Sequence, residues 1–212
     1  MATKIGIFNA ALVELGHRRL SDTGEAVEAG RELVAVHSDV VLECLSAGSW
    51  NFATETVMAD ADTGVTPEFG YPEVFAKPSD WLRTVSISTD ENFCAPLLDY
   101  YDDSTYWSAE STPIYIRYVS SDTGMGLDLT RWTPVFARYV ALEHADRVCM
   151  ALTQNAGMKE AIGKLRDKAR RRALNLDAMN EPNPKFPPPN SWTLARGSVA
   201  NRNRATRGNL VE

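Results

Sequence analysis

The chain has 212 residues, 44% hydrophobic and 24% charged, a balance that supports a buried core and excludes a disordered polymer. No apolar run approaches the ~20 residues that a helix needs to cross a bilayer, which excludes a membrane-spanning helix. The net charge of −6 hides a division: residues 1–158 carry 10 Lys+Arg against 23 Asp+Glu, net −13, and residues 159–212 carry 12 against 5, net +7, an acidic bulk that argues against a polyanion-binding fold and favours head-to-tail contact between copies.

In chain order, Ile5, Phe8, Leu12 and Leu15 recur at spacings of three and four and predict a helix over 3–16 that Gly16 stops. The same stretch holds one lysine and no uninterrupted apolar segment, unlike a secretory leader, so a cytoplasmic product is expected. Asp22 with Glu25 resembles a capping box, with Ser21 and Thr23 as competing caps. Leu33, Val36, Val40, Cys44 and Ala47 then mark an apolar stripe that Val34, Val41 and Leu45 widen, which predicts a bundle helix ~30 Å long. After Gly48 the period becomes two. Phe52, Thr54, Thr56 and Met58 alternate with Ala53, Glu55, Val57 and Ala59, predicting a strand from Asn51 onward.

Further strands are predicted at 82–88 (LRTVSIS), 95–101 (APLLDYY), 105–109 (TYWSA) and 114–120 (IYIRYVS), separated by turn-rich text such as DADTG and STDEN. Thr133-Pro134 fits a cap followed by a first-turn proline, and Val135, Tyr139, Leu142, Cys149 and Leu152 form the next helical stripe. Asn155-Ala156-Gly157 breaks it. Met158, Ile162, Leu165, Ala169, Ala173 and Leu176 form the last stripe, so the two segments read as an antiparallel hairpin. From Asn180 the text turns to proline clusters and arginines without a period, which cannot build a core of its own.

The fold class expected is therefore α+β: an antiparallel bundle of about four helices from residues 1–49 and 121–180, a small antiparallel sheet or sandwich inserted at 50–120, and an extended C-terminal arm at 181–212. Cys44, Cys94 and Cys149 are odd in number and set among apolar or small neighbours, which fits buried reduced thiols. His17, His37 and His144 are as scattered, and none of these six has a zinc-binding spacing, so no metal or cofactor is expected. His37 shares a helical face with Leu33 and Val40 and reads as a packed histidine.

At the corner SWNFAT, Trp50 and Phe52 are placed to wedge between bundle and sheet while Asn51 bonds backbone groups freed where the helix stops. The corner belongs to a longer pattern. NAALVELGHRRLSDTGEA, VVLECLSAGSWNFAT, YPEVFAKPSDWLRTVSI, PIYIRYVS, WTPVFARYVALEHA and SWTLARGS occur in the order found in the tail tubular protein A family, the head-to-tail adaptors of short-tailed bacteriophages. The resemblance runs from about residue 6 to 198, and six segments in register are specific where each alone is weak. Ser49 stands where the family carries proline before Trp-Asn-Phe, and Lys77-Pro78-Ser79-Asp80 where it carries Leu-Pro-Ser-Asp.

The resemblance implies a non-enzymatic homo-oligomeric ring of about twelve copies in the virion, assembled in the host cytoplasm. It would sit beneath the portal protein, carry a tail nozzle similar to tail tubular protein B, and pass the genomic DNA through its bore without sequence-specific binding. An acidic body is permissive of that passage, since a basic lumen would hold phosphate. Loops at 60–70 and 88–95 are the candidate tips for the nozzle partner.

Three groups of side chains are candidates for function. Asp80 and Arg83 follow Pro78 at a turn entering a strand, where Asp80 reads as a backbone cap, with a buried ion pair or a catalytic carboxylate and its clamp as alternatives. Seven basic residues between Lys159 and Arg172, among them Lys164, Lys168 and Arg171, load the last helix and are expected at a subunit interface, with a solvated face or DNA contact as alternatives. Phe186, Trp192 and Arg196 are anchor types that would dock the arm on the portal or a neighbouring copy.

Two other functions compete. One is a head-completion factor that plugs the portal without a nozzle partner. The other is a cell-wall glycoside hydrolase built on Asp99, Asp102, Asp103 and Glu110 among Tyr100, Tyr101, Tyr106 and Trp107.

Overall fold

A computed structural model describes residues 2–65, 67, 70–94 and 96–180. Helix α1 (Lys4–Glu14) starts at Thr3, whose hydroxyl accepts from the Gly6 N–H at 3.2 Å, and the chain reverses at Gly16 with φ +72°. Helix α2 spans Glu28–Ser46 and has no side-chain cap. The expected capping box forms elsewhere: Glu25 accepts from the Ser21 N–H and hydroxyl, both at 2.9 Å, and from Arg18, so it closes a turn ahead of the helix. A guanidinium beside the box competes for the carboxylate that a helix start would have used.

Among the described residues six short strands follow: β1 (Thr54–Ala59), β2 (Glu73–Ala76), β3 (Trp81–Ser88), β4 (Tyr100–Asp102), β5 (Tyr106–Ala109) and β6 (Ile114–Ser120). They form two antiparallel three-stranded sheets, ordered β1-β6-β3 and β2-β5-β4. The first strand starts later than its alternation suggests, because Asn51–Ala53 make one 3-10 turn before Thr54 pairs with Val119. Strand β2 was not anticipated. The segment expected at 95–101 contributes only a bridge from Pro96 to Ser88 before β4 begins. Phe75, Trp107 and Ala109 of one sheet bury against Ile87, Ile114, Ile116 and Tyr118 of the other, so both share one core.

Helix α3 (Pro134–Thr153) is capped by Thr133 and α4 (Ala156–Ala178) by Asn155, whose side chain accepts from Met158 N–H at 3.1 Å. Between them Gln154 takes the left-handed conformation, φ 50°. Helix α3 is buried far beyond the single stripe expected, including Glu143, His144 and Asp146, because α1, α2 and α4 all pack against it. The chain is thus a mixed α+β fold, with four helices and two small sheets among the described residues.

Three apolar residues and one cysteine lie outside the cores expected for them. Val34, Leu165 and Leu176 are 44%, 42% and 39% exposed. Helix α4 instead meets α3 through Ile162, Ala169 and Ala173, a stripe rotated away from both leucines. Cys44 and Cys149 are buried, but Cys94 is exposed in the polar turn after β3, where its N–H donates to Asp90 at 3.3 Å.

Candidate functional site

The corner after α2 is where helices and sheet meet. Trp50 is fully buried, donates from Nε1 to the Cys44 carbonyl at 2.9 Å, and lies 4.7 Å from the Phe136 ring. Phe52 also packs against Phe136, ring centroids 4.9 Å apart and planes tilted by 58°, and lies 6.2 Å from the Trp50 ring. Gly48 makes this possible: a Cβ there would stand 2.5 Å from Leu174 and 3.1 Å from the Trp50 ring. Asn51 looks away from the sheet. Its N–H and side-chain amide donate to the carboxylate and the carbonyl of Asp177 on α4, at 3.0 and 2.8 Å.

Asp80 is half-buried and Arg83 exposed, with no ion pair between them among the described residues. The Asp80 carboxylate accepts from the Tyr118 hydroxyl at 3.3 Å and from Ser120, while its carbonyl takes the Ser121 N–H at 2.7 Å. It ties the start of β3 to the end of β6. Burial first, then Asp80 and Glu55, raises the Tyr118 hydroxyl well above its usual range, so that phenol stays a donor.

The basic residues of α4 divide into two sets. Facing inward, Arg166 reaches Asp146 at 2.8 Å and Glu143 at 3.7 Å, and Lys159 reaches Asp146 at 3.0 Å. Arg147 extends the network from Glu143 to Glu43 on α2. Burial raises the pKa of Glu143 against the pull of Arg166, so this network positions charges in a cleft at a cost in desolvation. Facing outward, Lys164, Lys168 and Arg171 are exposed. Lys164 meets Glu160 at 2.7 Å on the surface, and Arg171 donates to the Asp167 carbonyl at 3.3 Å. Intrahelical spacing did not reveal the split, because the acceptors lie on α3. The signal was LEHADR, which holds the only two acidic residues of α3 at i, i+3 on one side of the helix.

Among the hydrolase candidates, Asp102 is committed to neighbours: it pairs with Lys77 and accepts from the Thr84 hydroxyl at 2.7 Å. The Lys77 ammonium lies 3.5 Å from the Trp81 ring centroid, and Trp107 donates to the same Thr84 oxygen at 2.8 Å. Asp99, Asp103 and Glu110 are exposed. Among the described residues no cluster of three or more His, Cys, Asp or Glu could hold a metal ion, and no helix is long and apolar enough to cross a membrane. Phe186, Trp192 and Arg196 lie outside the described residues.

No protein-family model matches the chain, and no curated protein matches it.

Proposed function

We propose that the chain is a structural subunit of the head-to-tail adaptor of a short-tailed bacteriophage, of the tail tubular protein A type, with no catalytic role. Copies would form a ring of about twelve between portal and tail nozzle, and DNA would pass through the bore. The observation that carries this reading is the run of six sequence segments in the family's order over nearly the whole chain. Packing supports it, since Trp50 and Phe52, Leu82 and Val85, and Phe136 and Tyr139 come from three different segments and share one core.

In this reading the helices form an antiparallel bundle with the sheets as an insertion, and residues 181–212 are the arm that docks on the portal or a neighbour. The outward cations of α4 lie at the interface between copies. The plug without a nozzle partner is the same assignment with one neighbour fewer. The engagement of Asp102 by Lys77 and Thr84 disfavours the hydrolase, and turbidity clearing of peptidoglycan abolished in an Asp102→Asn, Glu110→Gln double variant would restore it.

The test is co-sedimentation of the full chain, and of a chain lacking residues 183–212, with portal rings. The full chain should pellet with the portal and the shortened one, with unchanged helical circular dichroism, should not. Equal pelleting removes the docking arm, and no pelleting of either removes the adaptor assignment.

A further inference from the structure

Helices α2 and α4 turn opposite charges outward from one chain. On α2, Glu28, Glu32 and Asp39 fall within about 40° of the helix circumference, and Glu43 continues that side toward Arg147 of α3. Glu32 is half-buried and the other three are exposed. Glu43 pairs with Arg147, whereas Glu28, Glu32 and Asp39 make no ion pair among the described residues. Leu42, 37% exposed, lies on the same side.

On α4, Lys164, Lys168, Arg171 and Arg172 occupy about 100° of the outward side, flanked by the exposed Leu165 and Leu176. The inward cations are already neutralised by Glu143 and Asp146, so what remains outside is an excess of positive charge beside uncovered apolar surface. Among the described residues no ion pair joins the two faces within one chain, and the groove of about 320 Å³ that both helices line is bordered by Glu43, Tyr139, Glu143, Arg166 and Arg170 instead.

We propose that the acidic face of α2 in one copy docks against the basic face of α4 in the next, with Leu42 beside Leu165 and Leu176 at the centre of the contact. A phosphate-binding face has no use for leucines, whereas an interface between proteins places apolar residues at its centre and charges at its rim. Two unlike faces on one chain make the contact heterologous, the type that closes rings. The pairing deepens the adaptor reading and rests on it for the arrangement of copies.

Sedimentation velocity of the full chain tests it, with two charge-reversed forms checked for folding by circular dichroism: Glu28→Lys with Asp39→Lys, and Lys168→Glu with Arg172→Glu. The wild type should self-associate at low ionic strength and weaken about tenfold or more near 0.5 M salt. Each reversed form alone should remain monomeric, and an equimolar mixture should associate again, because a basic α2 then meets an acidic α4. A wild type that stays monomeric at every concentration, reversals without effect, or a mixture that fails to associate overturns the proposal. So does duplex DNA binding lost on reversing α4 while self-association is unchanged, which would make that face a nucleic-acid contact. A ring formed on the portal despite such a failure leaves the adaptor reading standing without this interface.

Discussion

Asn51 and Asp177 stand 126 positions apart and share two hydrogen bonds, one to the Asp177 carboxylate and one to its carbonyl. A carboxylate in the last turn of a helix sits at the negative end of the dipole and is unfavourable there. The Asn51 N–H and amide offset that cost and clamp the end of α4 to the corner after α2. Asn51→Ala and Asp177→Ala should each cost about 1–3 kcal/mol in denaturant unfolding, and because each removes a different bond, side chain of one residue to backbone of the other, the double variant should cost close to their sum. A single loss near zero would show that the corresponding bond contributes nothing to holding the end of α4.

Gly126 is required for space. A Cβ there would stand 2.0 Å from the Ser120 carbonyl oxygen, a backbone atom that cannot swing aside. The Gly126 carbonyl also accepts the Trp132 indole N–H at 2.9 Å. Gly126→Ala should therefore destabilise by about 1–3 kcal/mol, the usual range for overpacking, with the near-ultraviolet Trp signal perturbed. A wild-type melting temperature would contradict the close approach.

How much of this was legible in the sequence depended on distance along the chain. The Thr133 cap, the Pro134 start and the break near Asn155 are local chemistry, and they appear where the residues suggest. The alternation in LRTVSIS and IYIRYVS sufficed for β3 and β6. Strand β2 has four residues between Pro72 and Pro78, too few to show a period. The outward placement of Leu165 and Leu176, the inward turn of Arg166 and the grip of Asp177 on Asn51 were set by other helices. Such contacts leave no local spacing to read.

His37 and His144 join α2 to α3. His144 Nδ1 lies 2.8 Å from the Val140 carbonyl, which only accepts, so that nitrogen carries the proton and Nε2 accepts from His37 Nδ1 at 3.0 Å. Burial, then the His144 and Lys4 charges, lowers the His37 pKa from 6.5 to about 4. Between those values the unfolded chain takes a proton that the folded chain refuses, so stability falls as pH drops from 6.5 toward 4. The loss should be about 1–3 kcal/mol. His37→Gln keeps a donor without titrating, and its unfolding midpoint should vary less over that interval. Equal pH slopes for both proteins would exclude His37 as the source.

Trp50 fills the joint between α2, α3 and the sheet. Trp50→Ala removes its contacts with Phe136 and Phe52 and should cost about 3–5 kcal/mol. Trp50→Phe keeps much of the packing but leaves the Cys44 carbonyl without its 2.9 Å donor, for about 1–2 kcal/mol. Thermal unfolding of the two variants should rank them in that order, and since both lose the indole N–H, the reverse order would mean that the site accommodates a phenyl ring worse than the space left by alanine.

The central claim is that copies of this chain join around a bore against a portal. Electron microscopy of the full chain mixed with its portal rings examines that directly. An adaptor should appear as an added ring layer on one face of the portal, with a continuous central channel and as many copies as close the circle. Portal rings that remain bare, with the chain dispersed as single particles at saturating concentration, would contradict it.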